Sequence, residues 1–198
     1  MFTGIVQGVG SVRAVLPRAG DVTLWIDTGA VPLGDVQVGG SIAVSGVCLT
    51  ATQFEEHAFA ADVSRETLAL TTLGVATVGT RVNIEKALQA GQALGGHYVT
   101  GHVDGAGLVT SRHDDARSVR MEFEVPPELA RYVARKGSIC VDGVSLTVNG
   151  VAGRRFDVNL VPHTLELTTL AQCRAGSRVN LEVDIIARYL ERLLDATR

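Results

Sequence analysis

The strongest constraint on the fold is that the chain carries its own sequence twice. A shift of 97 residues brings 2–12 over 99–109, 40–52 over 137–149 and 67–85 over 164–182 without a net gap. Within the second block, GSIAVSGVCLTAT and GSICVDGVSLTVN share eight of thirteen residues. Chance identity at ordinary composition is about one position in sixteen, so the match indicates a duplication. A long unit that occurs twice is typical of a domain rather than a stacking repeat.

Each copy is predicted to form about six short strands. Segments such as 22–27, 41–52 and 81–85 alternate apolar with small or polar residues, as do 119–125, 138–148, 155–161 and 178–183. The 22 glycines fall at intervals typical of tight turns. We therefore predict an all-β fold of two tandem Greek-key six-stranded β-barrels related by pseudo-twofold symmetry. The domains are residues 1–90 and 97–184, with a flexible linker between Ala90 and Gly96.

The tail, residues 185–198, breaks the barrel pattern. Its apolar residues recur at helical spacing, and Asp184 stands where a helix N-cap would. These apolar residues are Ile185, Ile186, Tyr189, Leu190, Leu193 and Leu194. The segment is predicted to be an amphipathic helix. Periodicity alone leaves open whether the helix packs on its own barrel or holds subunits together.

Composition excludes several classes of function. The net charge is −3, the isoelectric point is about 5.9 and no basic block occurs, so nucleic acid is not an expected partner. No apolar run approaches the roughly 18 residues that span a bilayer, and the opening lacks the features of a signal peptide. We expect a cytoplasmic protein with no membrane contact. The three cysteines are widely spaced without a CxxC pair, which argues against a disulfide framework and a metal site.

The two copies differ where chemistry could reside. A thiol occurs in the first copy, whereas imidazole, ammonium, hydroxyl and carboxylate groups occur at matched positions of the second. The pairs are Ile5 with His102, Gly39 with Lys136, Ser45 with Asp142, Cys48 with Ser145, Glu66 with His163, and Ala87 with Asp184. This asymmetry is typical of two sites with one ancestry and different chemical roles. Drift after a duplication would also produce such differences.

Each candidate residue also has a structural explanation. An unactivated cysteine such as Cys48 is commonly a small buried hydrophobe. His97 and His102, five residues apart, could each act as a general base or simply be structural. Helix capping alone would explain Asp184.

Motifs along the whole chain carry a family resemblance. The chain opens on MFTGIVQG and continues with GVCLT, ETL before TTLG, GGHYVTGHVDG at the repeat junction, KGSICVDGVSLTV, and VNLEVDIIARYLERLL near the end. In this order and spacing they resemble the riboflavin synthases of the α-subunit type. The resemblance departs at Ser45, where the family commonly has Asn, and at Ser64, where it often has Met.

This resemblance implies a cofactor-free dismutation. Two molecules of 6,7-dimethyl-8-ribityllumazine would exchange a four-carbon unit, giving riboflavin and a ribitylamino-substituted aminopyrimidinedione. It also implies a homotrimer held by C-terminal helices, with the productive site between the first barrel of one subunit and the second barrel of its neighbour. The thiol and the imidazole would meet across that interface. Association with lumazine synthase is left open.

The resemblance also assigns residues. His102 would transfer a proton, Cys48 would act as nucleophile or hydrogen-bond donor, and Ser145, Thr147 and Asp184 would position substrate and stabilise charge. Phe2 would pack at the site mouth, and Ser41 would contact substrate. The first pocket would be lined by Gly4, Ile5, Val6, Cys48, Leu49, Thr50, Asp62, Val63, Ser64, Arg65, Glu66 and Thr67. The second would be lined by Gly101, His102, Val103, Lys136, Ser145, Leu146, Thr147, Asn159, Leu160, Val161, Pro162, His163 and Thr164.

The alternative function is a non-catalytic antenna protein that binds lumazine or flavin. Such relatives share the two barrels but have a degraded second copy. Here the second copy keeps GHV at 101–103 and GVSLT from Gly143, and the first keeps Cys48. Catalysis is therefore the favoured interpretation. A structural barrel protein without a ligand would leave the paired GVCLT and GVSLT motifs unexplained.

Overall fold

Two closed antiparallel β-barrels follow one another along residues 1–196, the part of the chain that this computed structural model describes. The first barrel consists of β1 (Gly8–Arg18), β2 (Asp21–Asp27), β3 (Ser41–Val44), β4 (Val47–Glu55), β5 (Ala58–Val63) and β6 (Arg81–Lys86). These strands close in the order β1-β2-β5-β4-β3-β6.

The second barrel repeats the same order. It consists of β7 (Gly105–Asp115), β8 (Ser118–Glu124), β9 (Ser138–Val141), β10 (Val144–Ala152), β11 (Arg155–Leu160) and β12 (Arg178–Val183). Its strands close as β10-β11-β8-β7-β12-β9, which is the order of the first barrel read around the ring. The predicted pair of six-stranded barrels is confirmed.

Each barrel encloses its own apolar core. Along β8, buried and half-buried residues alternate, as expected for a strand with one face inward. In the second core the rings of Phe123 and Phe156 stack with centroids 5.1 Å apart. The first core is filled around Phe59, Ile42 and Ile84, each without solvent exposure. The two cores are separate clusters, so each barrel has an apolar interior of its own.

Segments 41–52 and 138–148, predicted as single strands, are hairpins. The alternation of apolar residues continues through two-residue turns at Ser45-Gly46 and Asp142-Gly143, and the glycine that begins each of the GVCLT and GVSLT motifs marks the turn in the sequence. All four turn residues have positive φ, between 45° and 81°, as a type I′ turn requires. The two turn tips also meet: a Cβ on Gly46 would lie 2.7 Å from the Gly143 nitrogen. Glycine is therefore required by both conformation and contact.

Short helices connect strands in both barrels. In the first half, α1 (Arg65–Leu70) and a 3₁₀ turn (Thr72–Val75) join β5 to β6. In the second, α2 (Pro162–Leu167) and a 3₁₀ turn (Thr169–Gln172) join β11 to β12, and a further 3₁₀ turn (Pro127–Tyr132) follows β8. These helices are each only four to six residues long, and the alternation of apolar residues in the sequence did not predict them.

The C-terminal helix, α3 (Ile185–Asp195), follows β12 directly. The Oδ1 atom of Asp184 accepts a hydrogen bond from Ile186 N at 3.0 Å, so the predicted N-cap is present. The last two residues of the predicted segment 185–198 lie outside the described residues. Among residues 1–196, no helix has the length and apolar character needed to cross a bilayer.

Paired hydrogen bonds relate the two barrels across the pseudo-twofold axis. The Asn83 side chain donates to the carbonyl of Asp142 at 2.8 Å, and the equivalent Asn180 side chain donates to the carbonyl of Ser45, also at 2.8 Å. Both asparagines are buried. Buried amides must find partners, so these bonds fix how the barrels face one another.

Phe2 lies on this axis rather than at a site mouth. Its backbone pairs with that of Val99, with N···O distances of 2.7 and 3.2 Å. Its ring is fully buried in a small apolar cluster with Ala43, Val99 and Cys140. The expectation that Phe2 packs at the entrance of a site is therefore wrong. Its equivalent, Val99, shares the same cluster, so Phe2 joins the two halves.

Asp142 makes the stability of this interface pH-dependent. Burial raises the pKa of its carboxyl from 3.8 to about 7, although Asn180 N donates to Oδ1 at 2.7 Å. Because the pKa is higher in the folded state, the native protein binds this proton more tightly than the unfolded chain. The free energy of unfolding should therefore fall as the pH rises from about 4 to about 7, by about 4 kcal/mol at most.

Asp142→Asn should abolish this contribution, because the amide oxygen still accepts from Asn180 N and carries no charge. Urea unfolding at pH 5 and pH 8 should show a variant that gains stability over the natural protein mainly at pH 8. Burial also raises the pKa of Glu85, but Glu85 is present in both proteins and cancels in the comparison. Asp142→Ser, which copies Ser45, is the matched control. An unchanged pH dependence in both variants would contradict the prediction.

Candidate functional site

The opening segment of each half of the chain contacts the barrel of the other half. We call residues 2–6 and 99–103 the lead-in segments. Cys48 N on β4 donates to the carbonyl of Gly101 at 2.8 Å, and Ser145 N on β10 donates to the carbonyl of Gly4 at 2.7 Å. The predicted grouping, which put Gly4 with Cys48 and Gly101 with Ser145, is wrong. The segments cross because Phe2 and Val99 pair on the axis before either reaches its own barrel.

A buried carboxylate holds each lead-in segment in place. Glu182 on β12 accepts hydrogen bonds from Thr100 N, Thr100 Oγ1 and Gly101 N at 2.7, 2.8 and 2.9 Å. Glu85 on β6 accepts the equivalent three bonds from the first segment at 2.7, 2.7 and 3.0 Å. Burial raises the pKa of Glu85, and these three bonds oppose the shift. The carbonyls of Gly4 and Gly101 are thereby aimed at the opposite barrels.

The first pocket is a cavity of about 260 Å³ between β4, α1 and the second lead-in segment. It brings together the thiol of Cys48 and the imidazole of His102 within one chain, whereas the resemblance implied that they meet across a subunit interface. Ser64 shapes one wall, because its Oγ caps α1 by accepting from Thr67 N at 3.2 Å. The predicted residues in this lining are Cys48, Ser64, Glu66, Thr67, Gly101, His102 and Val103.

A further cavity, of about 410 Å³, lies beside the first pocket, and we call it the adjoining cavity. Leu70, His102 and Val103 line both the first pocket and the adjoining cavity. The adjoining cavity extends beneath α3 to Asp104 and Arg188. A ligand in the first pocket would therefore lie next to the start of the C-terminal helix.

The place in the second barrel that is equivalent to Cys48 holds a hydroxyl–imidazole pair. The Nδ1 atom of His97 lies 2.7 Å from Ser145 Oγ, and His97 N donates to the carbonyl of Thr3 at 3.1 Å. His97 is 8% exposed, and its Nε2 has no hydrogen-bond partner among the described residues. Burial lowers the pKa of His97, partly opposed by the charges of Asp184 and Glu182, so the ring is neutral at neutral pH. The unpartnered Nε2 atom is itself buried, so within the described part of the chain the His97 ring makes its side-chain hydrogen bond to Ser145 alone.

His97 is the site residue that sequence reasoning left out of both pockets. The duplication drew attention to positions that differ between the copies, but the equivalent of His97 would precede Met1. Comparison of the copies therefore could not flag it. The available signal was its place in GGHYVTGHV, two residues before the lead-in segment.

Several predicted binding residues belong to the barrel cores. Val6 packs in the second core and Val103 against the first, as the exchange of lead-in segments requires. Leu49 directly follows Cys48 and Leu146 directly follows Ser145, so both leucine side chains lie on the opposite, buried face of their strands. Such side chains support a pocket wall without facing a ligand. The predicted residues that belong to the two barrel cores are Val6, Leu49, Val63, Leu146 and Leu160.

Other predicted residues are absent from the lining of the first pocket. Ser41 pairs with Thr50 between β3 and β4, and the exposed Lys136 has left-handed backbone with Nζ 3.4 Å from Asn149 Oδ1. Asp62 accepts from Thr23 Oγ1 at 2.6 Å. Also outside the first pocket are Ile5, Arg65, Thr147 and Asn159 on exposed surface, and Val161, Pro162, His163 and Thr164 at the start of α2, the counterpart of the α1 wall.

Three comparisons bear on this arrangement. A family model described as a lumazine binding domain matches twice, at residues 3–87 and 100–184. These matches contain the two barrels, including Thr3 and Thr100 of the lead-in segments.

Curated relatives match over nearly the whole chain. The riboflavin synthase of Mycobacterium tuberculosis (strain ATCC 25618 / H37Rv) is 46% identical, over 98% of this chain and 98% of its own length. That of Brucella abortus (strain 2308) is 43% identical over the same shares. That of Photobacterium phosphoreum is 42% identical, over 98% of this chain and 89% of its own length.

Solved structures share the fold. LumP complexed with riboflavin superposes with a TM-score of 0.82 at 26% identity, covering 92% of this chain and 99% of its own. LumP complexed with 6,7-dimethyl-8-(1'-D-ribityl) lumazine has the same TM-score and coverage at 24% identity.

Proposed function

This chain belongs to the riboflavin synthase family, and we propose that its two pockets hold the two substrate molecules of that family's reaction. The protein is a transferase that dismutates two molecules of 6,7-dimethyl-8-ribityllumazine to riboflavin and 5-amino-6-(ribitylamino)pyrimidinedione, the last step of riboflavin biosynthesis. The observation that supports the proposal is the exchanged pair of lead-in segments, which brings the carbonyl of Gly101 to Cys48 N and the carbonyl of Gly4 to Ser145 N.

Two related but unequal pockets suit a reaction between identical molecules. Donor and acceptor must be held face to face, which converts an encounter of two molecules into a reaction within one complex. They must also be treated differently, because one loses a four-carbon unit that the other gains. A thiol in one pocket and a hydroxyl–imidazole pair in the other provide that difference.

The roles of individual residues follow from the groups they offer. In the first pocket, His102 transfers a proton and Cys48 is the nucleophile or hydrogen-bond donor. In the second, Ser145, Thr147 and Asp184 position the substrate and stabilise charge. The side-chain hydrogen bond between His97 and Ser145 supports adding His97 to this second group.

We propose that the protein is a homotrimer held by α3. An apolar stripe at positions i, i+3, i+4 and i+7 faces outward: Ile186, Tyr189, Leu190 and Leu193 are 64%, 67%, 55% and 67% exposed. Such a stripe is typical of a helix that packs against other helices. The productive contact in this trimer joins the first pocket of one subunit to the second pocket of its neighbour.

The setting of the reaction is also a proposal. We place it in the cytoplasm, without a cofactor or metal, and with lumazine synthase as a partner because that enzyme class supplies the substrate. Co-sedimentation of the two purified proteins tests the partner.

Riboflavin formation tests the function. Purified protein with 6,7-dimethyl-8-ribityllumazine and a chelator should produce riboflavin absorbance, with one riboflavin for every two substrate molecules consumed. Tight binding of lumazine with no riboflavin formed would contradict the enzyme and identify an antenna protein. Activity that depends on an added metal or cofactor would contradict the cofactor-free reaction.

A further inference from the structure

Asp104 is a buried carboxylate immediately after the second lead-in segment. Its side chain is only 3% exposed. One oxygen, Oδ2, accepts from Val183 N on β12 at 2.8 Å, and the other forms an ion pair with Arg188 on α3. A charge this well buried requires a partner, and Arg188 provides it.

The duplication shows that the backbone contact alone does not need a charge. The equivalent of Asp104 in the first half is Gln7, whose Oε1 accepts from Lys86 N at 3.0 Å. The neutral Gln7 thus makes the same contact to the end of its barrel. The cavity beside Gln7 is closed by linker residues 92–95, whereas the cavity beside Asp104 is closed by α3. The carboxylate therefore occurs in the half where a helix offers a cation.

A second polar contact ties α3 to its own barrel elsewhere. Glu191 forms an ion pair with Arg131 at 2.8 Å and accepts a hydrogen bond from the Tyr132 hydroxyl. Neither Arg131 nor Glu191 is in the lining of the first pocket or of the adjoining cavity. Arg188, in contrast, lines the adjoining cavity together with His102 and Val103.

We propose that the Asp104–Arg188 pair is a latch through which α3 positions the second lead-in segment over Cys48. Both are positioning residues: they act through His102 and Val103, which line the first pocket. If α3 also holds the subunits together, the latch links assembly to the geometry of that pocket. The kinetic part of this inference rests on the proposed function.

Four variants of the full-length protein test the latch. Asp104→Asn keeps an acceptor for Val183 N, Arg188→Gln removes the cation, the double variant leaves no unpaired charge, and Arg188→Lys keeps the charge. Each single loss should lower kcat by about tenfold with a smaller change in KM, because misplacement of a reacting group slows the chemical step. The double variant should be no slower than either single variant, since all three lack one interaction. Arg188→Lys should retain most of the activity.

Arg131→Gln is the matched control. It removes an arginine contact between α3 and the barrel that does not reach the pocket, so kcat should not change. Sedimentation establishes that each variant keeps the assembly state of the natural protein. Amide hydrogen exchange of residues 100–104 should be faster in Asp104→Asn and Arg188→Gln, and unchanged in Arg131→Gln.

Losses that add in the double variant, or an Arg131→Gln variant as slow as Arg188→Gln, would overturn the latch. So would exchange rates at 100–104 that do not respond to loss of Arg188. A natural protein that forms no riboflavin would contradict the proposed function instead. In that case the exchange rates alone would still decide whether Arg188 holds the segment.

Discussion

Cys48→Ala should lower the rate of riboflavin formation at least about a hundredfold while the variant stays folded and still binds lumazine. The thiol lies in the first pocket beside His102, and loss of a nucleophile or a proton-transfer group typically costs a factor of 10² to 10⁴. His102→Ala should have an effect of similar size. Turnover is measured by riboflavin absorbance, and binding by titration of lumazine fluorescence.

Cys173→Ala is the control for loss of a thiol. Cys173 lies outside the first pocket, and burial raises the pKa of its thiol to about 12, so it is protonated at neutral pH. Its removal should leave turnover unchanged. Unchanged turnover in both Cys48→Ala and His102→Ala would remove the proposed roles of those residues.

Mixtures of inactive variants distinguish one shared pocket from two separate ones. Cys48 and His102 line the same cavity of one chain, so trimers mixed from Cys48→Ala and His102→Ala contain no intact first pocket. No activity should return. Trimers mixed from Cys48→Ala and Ser145→Ala should regain activity, because one subunit supplies an intact first pocket and its neighbour an intact second pocket. The opposite pattern, with activity only in the first mixture, would place thiol and imidazole in different sites.

Leu190→Glu should dissociate the trimer and abolish most of the activity. Leu190 is 55% exposed in the single chain and lies in the middle of the apolar stripe of α3. Burying a leucine between helices contributes about 1.5–3 kcal/mol, whereas a carboxylate there would have to be desolvated without a partner. A trimer would contain the Leu190→Glu substitution in all three of its α3 helices. Sedimentation velocity should therefore show monomers, with little riboflavin formed because the productive contact lies between subunits.

Arg192→Gln is the matched control for Leu190→Glu, because it changes the net charge of the same helix by the same amount away from the stripe. It should leave the trimer intact. A Leu190→Glu protein that still sediments as a trimer would show that α3 does not hold the subunits together. A monomer with full activity would contradict the productive contact between subunits.

The duplication predicted the barrels because a repeat of about 90 residues with alternating apolar positions has few ways to bury two cores. The exchange of lead-in segments could not be predicted in the same way. Aligning Gly4 with Gly101 shows that the two are equivalent, but equivalence does not say which barrel each contacts. The pairing of Phe2 with Val99 on the axis determines which barrel each segment contacts, and these two residues lie 97 positions apart in the sequence.

Comparison of the two copies could not identify a site residue that has no matched position in the other copy. His97 has no equivalent in the first half, and only the folded chain brings it to Ser145. Differences between the copies mark Cys48, Ser145 and His102 as candidates, and the family resemblance gives them their roles.

A crystal structure of the protein with bound riboflavin tests the central claim most directly. We expect two riboflavin molecules per chain, one beside Cys48 and the segment 101–103, and one beside Ser145, His97 and the segment 4–6. A structure in which each lead-in segment covers its own barrel, or in which riboflavin binds away from both Cys48 and Ser145, would contradict the two exchanged pockets.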